Sequence, residues 1–240
     1  MSIARAMQPF AYLLAPILAV QGRRLSRRIP RLPEAGGTAG TTAGASPPVR
    51  LAVFGDSTAA GVGAKDHRHA LAGLLGAAVG NATGRETSWR AVARSGATAR
   101  SALGLVPDLV DGDWTPDVVV LLIGVNDLKD LRPLRAWDRD VPALVAAIRE
   151  RTGGVPLIVS EMAPVSRFPA LPQPMRAVMA LRARAMDETL RRAAGARHVA
   201  VDSKMIGDGF FAEDGFHPSS SGYGAWADQL TGPLVDALTR

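Results

Sequence analysis

From Val49 onward the chain alternates short apolar runs with stretches of helical periodicity, and that alternation leaves few folds open to it. The runs 51–54, 89–93, 118–123, 155–159 and 198–201 are short, nearly free of charge and rich in Val, Leu, Ile and Ala; the first and third stop at a glycine, Gly55 and Gly124. Apolar runs of this length predict strands buried on both faces. Between them Leu71, Leu74, Leu75, Ala78 and Val79 fall at helical spacing, as do Trp137, Val141, Leu144, Val145 and Ile148. A long helix is expected over about 175–194, and a last one carrying Trp226 and Leu230. Strand and helix in alternation imply parallel strands with helices on both faces. The expected fold is an α/β three-layer α/β/α sandwich around a central, mostly five-stranded parallel sheet.

In open sheets of this kind ligands gather at the carboxyl ends of the strands. There the chain offers Gly55-Asp56-Ser57, then Ser95-Gly96-Ala97, then Gly124-Val125-Asn126-Asp127, and after the fifth strand Asp214-Gly215-Phe216-His217-Pro218. A hydroxyl, a glycine amide, a carboxamide and an Asp/His pair on one edge supply a nucleophile, oxyanion donors, a base and its orienter. Each alone has an ordinary structural explanation: a serine after a strand is often a helix N-cap, and Asn-Asp is often a turn. Their joint placement favours acyl transfer. Asp56 is read as a structural carboxylate bonding local amides.

These blocks resemble those of the SGNH, or GDSL-like, hydrolases, whose four name-giving residues would fall on Ser57, Gly96, Asn126 and His217. The likeness covers about residues 49–240, and Thr58 stands where the GDSL name expects Leu. The resemblance implies a flavodoxin-like sandwich and a serine esterase that needs no cofactor. Ser57, on a tight turn at the start of a helix, would be the nucleophile, His217 the base and Asp214 its orienter. The amides of Ser57 and Gly96 and the Asn126 side chain would form the oxyanion hole. Small acyl esters or lysophospholipid-like esters are the expected substrates, with thioesters or sugar acetates as alternatives on the same site. By its own residues, the long, apolar, proline-stiffened segment 162–172 after the fourth strand either walls an acyl pocket or packs as a loop on the core.

A flavodoxin-like nucleotide or flavin binder is the main alternative outside hydrolysis. Gly61-Val62-Gly63 lacks both the Lys-Ser/Thr of a phosphate loop and the third glycine of a dinucleotide fingerprint, and a binder leaves Asp214 and His217 without a use. His67 and His69 have no third ligand nearby and are expected to face solvent at a helix start, so no metal site is expected. His198, in an expected strand, is read as structural.

The net charge of +6 points at first to nucleic acid, but its location argues otherwise. Residues 1–50 hold seven of the 28 basic residues and one of the 22 acidic ones, leaving 21 of each in 51–240. A neutral main domain has no footprint for nucleic acid. Residues 1–35 read as an apolar and basic arm, residues 36–48 as a Gly/Thr/Pro-rich linker and residues 49–240 as the hydrolase domain. The apolar stretch 10–20 is too short to span a bilayer and a poor secretory signal. Two readings stand for it. Residues 7–31 touch the cytoplasmic face of a membrane peripherally, or the stretch packs as a helix on its own domain.

Overall fold

The computed structural model describes residues 3–6 and 13–239. Residues 7–12, part of the stretch expected at a membrane, lie outside the described residues. The elements in order are α1 (Ile3–Ala6), α2 (Ala15–Arg28), β1 (Ala39–Thr42), β2 (Ala45–Gly55), α3 (Leu71–Thr83), β3 (Arg85–Ala93) and α4 (Ala99–Ala102). They continue with β4 (Val118–Leu122), α5 (Val125–Lys129), α6 (Leu134–Arg151), β5 (Leu157–Ser160), α7 (Met175–Ala194), β6 (His198–Val199) and α8 (Ser220–Leu238).

One six-stranded sheet runs β1-β3-β2-β4-β5-β6. Five of its strands are parallel, in the doubly wound order expected of a flavodoxin-like sandwich. Helices α3 and α8 pack together on one side and α6 and α7 on the other. Every residue of β4 is buried, as a strand covered on both faces must be. On α6 the five expected apolar positions are all buried, from Trp137 to Ile148. Truncating a fully enclosed side chain such as Leu121 to Ala would cost about 2 to 5 kcal/mol.

The sixth strand corrects the reading of residues 36–48 as a linker. Ala39–Thr42 pairs antiparallel with β3, Ala39 opposite Arg90 and Thr42 opposite Thr87, and β2 begins at Ala45. The pairing is possible because Gly40 lies against the Trp89 ring, where a Cβ would collide with the indole. Backbone bonds extend the attachment: Ala35 N–H donates to Ala60 O at 3.0 Å, and His67 N–H to Gly36 O at 2.9 Å.

The amino-terminal segment is also docked. Arg5 makes a two-pronged bond to Asp138 at 2.8 and 2.7 Å and reaches Glu188 at 3.1 Å, on α6 and α7. Leu18 of α2 is buried. Gln21 donates to Gln173 O at 2.7 Å and accepts from Met175 N–H at 3.2 Å, fixing α2 to the start of α7. Among the described residues, no helix is long and apolar enough to cross a membrane.

The winding of the sheet reverses between β2 and β4. After β2 the chain moves to β3 on one side, then crosses to β4 on the other. The crevice above these two strands is where a doubly wound sheet presents its ligand site.

Candidate active site

Strand β2 delivers Ser57 to that crevice. Gly55 has φ +152°, and a Cβ there would run into the Leu122 carbonyl of β4, so only glycine lets the chain turn this close to its neighbour. Asp56 N–H donates to Leu122 O at 3.1 Å, and Asp56 Oδ1 accepts from Thr58 N–H at 3.0 Å. Burial lifts the Asp56 carboxyl to about 6, against the pull of the Thr58 amide. No helix follows Ser57. Residues 57–63 form hydrogen-bonded turns, because Gly61 and Gly63 take positive φ values that an α-helix does not allow. The Tyr223 hydroxyl, fully buried, donates to Val62 O at 2.7 Å and ties these turns to α8.

The loop before α8 brings the base. At Gly63 a Cβ would strike the Pro218 carbonyl, so the turns after Ser57 and the loop carrying His217 meet backbone to backbone. Ser57 Oγ and His217 Nε2 are 3.0 Å apart, and His217 Nδ1 lies 2.6 Å from Asp214 Oδ2. The carboxylate on Nδ1 assigns the ring proton there, leaving the Nε2 lone pair to accept from the serine hydroxyl. Asp214 Oδ1 accepts the backbone N–H groups of Phe216 and His217, each at 2.9 Å. Burial opposes the Asp214 charge, but the imidazole and the two amides outweigh it and hold the carboxyl below its ordinary value.

The third part is a set of open donors. Among the described residues, the backbone N–H groups of Ser57 and Gly96 have no acceptor. Asn126, nearly buried, donates one amide N–H to Ala97 O at 3.0 Å, and its Oδ1 accepts from Lys129 Nζ at 3.2 Å. Its second N–H is unspent. Asp127 braces the same loop, accepting from Ala99 N–H at 2.8 Å with Arg132 Nε 3.1 Å from its other oxygen. Burial raises the Asp127 carboxyl to about 6. Adjacent residues of α5 thus hold the loop carrying Gly96 at two points.

A residue with no role in the sequence reading completes the scaffold. Glu34 Oε1 accepts the Ser95 backbone N–H at 2.6 Å, immediately before Gly96. The available signal was charge: Glu34 is the only acid among the first fifty residues.

Beside Ser57 and His217 lies a small apolar cavity of about 20 Å³, lined in part by Ala163, Phe168, Phe210, Phe211 and Phe216. Phe168 meets Phe211 and Phe216 edge to face at 5.2 Å, and Phe210 meets Phe211 at 5.0 Å. The segment 162–172 therefore lines the pocket through Ala163 and Phe168. Phe210 and Phe211 leave no mark in the sequence, because a Phe-Phe pair after Gly-Asp-Gly carries no periodic signal. His67 is buried under the Trp89 ring rather than facing solvent, since the glycine turns fold the chain back beneath Gly36. His69 is exposed and pairs with Asp66 at 2.8 Å. His198 stands on β6 with Nε2 3.0 Å from Glu161.

A serine hydroxyl bonded to an imidazole, with open donors on Ser57, Gly96 and Asn126 at the loops of the same sheet edge, suits addition to a carbonyl. Comparison with known proteins agrees. Residues 53–225 match the GDSL-like Lipase/Acylhydrolase family. A GDSL-like esterase of Mycobacterium tuberculosis is 30% identical over 201 residues, which cover 80% of this chain and 63% of that protein. The chain thus spans less than two thirds of that relative's length. Among solved structures, the psychrotrophic esterase EstA from Pseudoalteromonas, inhibited by monoethylphosphonate, superposes with a TM-score of 0.61 at 16% identity, covering 80% of this chain and 99% of that one. A family 3 carbohydrate esterase of Clostridium thermocellum gives 0.57 at 22% identity, covering 80% and 98%. At these identities the two structures speak for the fold.

Proposed function

The chain belongs to the GDSL-like lipase/acylhydrolase family, and from that premise we propose that it hydrolyses small carboxylic esters through an acyl-enzyme on Ser57. Ser57 Oγ attacks the ester carbonyl as His217 Nε2 takes its proton. Asp214 keeps the imidazole in the required tautomer and stabilises the imidazolium. The oxyanion is received by the amides of Ser57 and Gly96 and by the free N–H of Asn126. One such donor contributes roughly 3 to 4 kcal/mol to the transition state. Collapse expels the alcohol, protonated by His217, and water then repeats the sequence on the acyl-serine.

The observation that carries this reading is the continuous line Asp214–His217–Ser57, with contacts of 2.6 and 3.0 Å, beside a Ser57 amide that has no acceptor. The Asp/His pair that a nucleotide binder leaves idle is engaged with Ser57. The phenylalanine-rich lining beside Ser57 supports an apolar acyl group as the part of the substrate seated there. Labelling with a fluorophosphonate, read by peptide mass, tests the assignment. The label is expected on Ser57, and Ser57→Ala is expected to lose both labelling and ester turnover. Labelling at another serine, or turnover retained in the variant, would sink the assignment.

A further inference from the structure

Helix α2 has two different faces. Its inner side is fixed to the domain: Leu18 is buried, Leu14 and Leu25 pack on the core, and Gln21 is bonded to residues 173 and 175. Its outer side is unusual for this protein. Four large apolar side chains are exposed among the described residues. Three of them, Leu13, Ile17 and Val20, belong to this segment, at 77%, 49% and 47% exposure. Ile17 and Val20, three residues apart, share one side of the helix, and Leu13 lies just ahead of its first turn. Continued along the helix, that side runs onto Arg24, Arg27 and Arg28, which are exposed and have no hydrogen-bond or ion-pair partner among the described residues. The outer face is therefore apolar in its first half and cationic in its second.

We propose that this face is a docking surface for an anionic lipid bilayer, with the helix lying in the plane of the interface. Leu13, Ile17 and Val20 would enter the acyl boundary while the arginines stay at the headgroup phosphates. Their long stems let the charge remain in water as the apolar half sinks. At 14 residues the helix is too short to span, but it suffices to lie on a membrane. A second copy of the chain fits this face poorly. In parallel pairing arginines would meet arginines, and in antiparallel pairing they would meet the apolar half. The inner face is already occupied, so the outer face has no room to fold back on its own domain. The surface is independent of the proposed esterase chemistry.

Co-sedimentation of the full chain with vesicles tests the proposal. Binding is expected to phosphatidylglycerol–phosphatidylcholine vesicles, to be far weaker with phosphatidylcholine alone, and to fall as salt rises. Ile17→Gln/Val20→Gln and Arg24→Gln/Arg27→Gln/Arg28→Gln keep good helix formers on an exposed face, so the fold is not at risk. Each set is expected to weaken binding at least tenfold while turnover of a soluble ester stays unchanged. Absence of binding to anionic vesicles at low salt, or binding that ignores both sets, would overturn the proposal. So would a dimer in light scattering that separates in Ile17→Gln/Val20→Gln. Ester turnover, read in parallel, distinguishes any of these results from failure of the esterase reading.

Discussion

Glu34 and Ser95, 61 positions apart in sequence, are joined by a 2.6 Å bond from the Ser95 amide to the Glu34 carboxylate. The peptide that follows Ser95 carries the Gly96 N–H proposed to face the oxyanion. Glu34 is therefore a positioning residue, acting through the loop and not on the substrate.

Glu34→Ala should lower kcat about tenfold with KM little changed, the scale of one hydrogen bond to a charged group. Glu34→Gln keeps an acceptor oxygen and should recover most of the loss. Steady-state kinetics on a short-chain ester decide it. A loss confined to KM, or no rescue by Gln, would contradict the positioning role.

Asn126→Ala removes a proposed oxyanion donor and should cut kcat by about a hundredfold or more. Asn126→Asp should be at least as damaging, because a carboxylate repels the developing charge. Thermal unfolding is the control, since the Ala97 bond is lost as well. A variant with normal kcat and raised KM would make Asn126 a substrate-binding residue instead.

Phe211→Ala opens the aromatic wall of the cavity beside Ser57. The ratio of kcat/KM for hexanoyl over acetyl esters should rise at least tenfold. An unchanged ratio would mean that the acyl chain lies elsewhere.

Asp187 provides a stability test away from the site. Burial, reinforced by Glu161, raises its carboxyl to about 8. Between the ordinary carboxyl value and 8 the folded chain keeps a proton that the unfolded chain has released. Stability therefore falls as pH rises through that window, and the loss is complete above it. Asp187→Asn should be more stable than the parent at pH 9, by up to about 1.4 kcal/mol for each unit of the shift, and nearly equal to it near pH 4. Denaturant melts at the two pH values measure this, and a gain of equal size at both would show that ionisation is not its source.

The parallel core was legible because its signals are local. The run 118–123 has no charge, and the α6 positions repeat at helical spacing, so each element announces itself within a few residues. Ser57, Asn126, Asp214 and His217 were legible for a related reason: each stands at a strand end or in a short polar block whose order along the chain is informative. Strand β1 was not. A run of Ala, Gly and Thr has the composition of a linker, and what makes it a strand is Trp89, some fifty residues away, closing over Gly40. Glu34 escaped for the same cause, since its partner is an amide that no pattern marks. The buried position of His67 also depends on glycine turns folding the chain back, which spacing alone does not reveal.

The hydrogen bond between Ser57 and His217 closes a span of 160 residues. Its two ends sit just past the first parallel strand and just ahead of the last helix, so the intervening sheet must be assembled before they meet. Long-range pairings of this kind are slow to form, because the entropy of closing the chain is lost before any contact compensates it. Helices and single strand pairs can accumulate early without creating any part of the nucleophile. Recovery of ester turnover after dilution from denaturant should therefore lag behind the return of the circular dichroism signal, and stopped-flow traces of the two measure this.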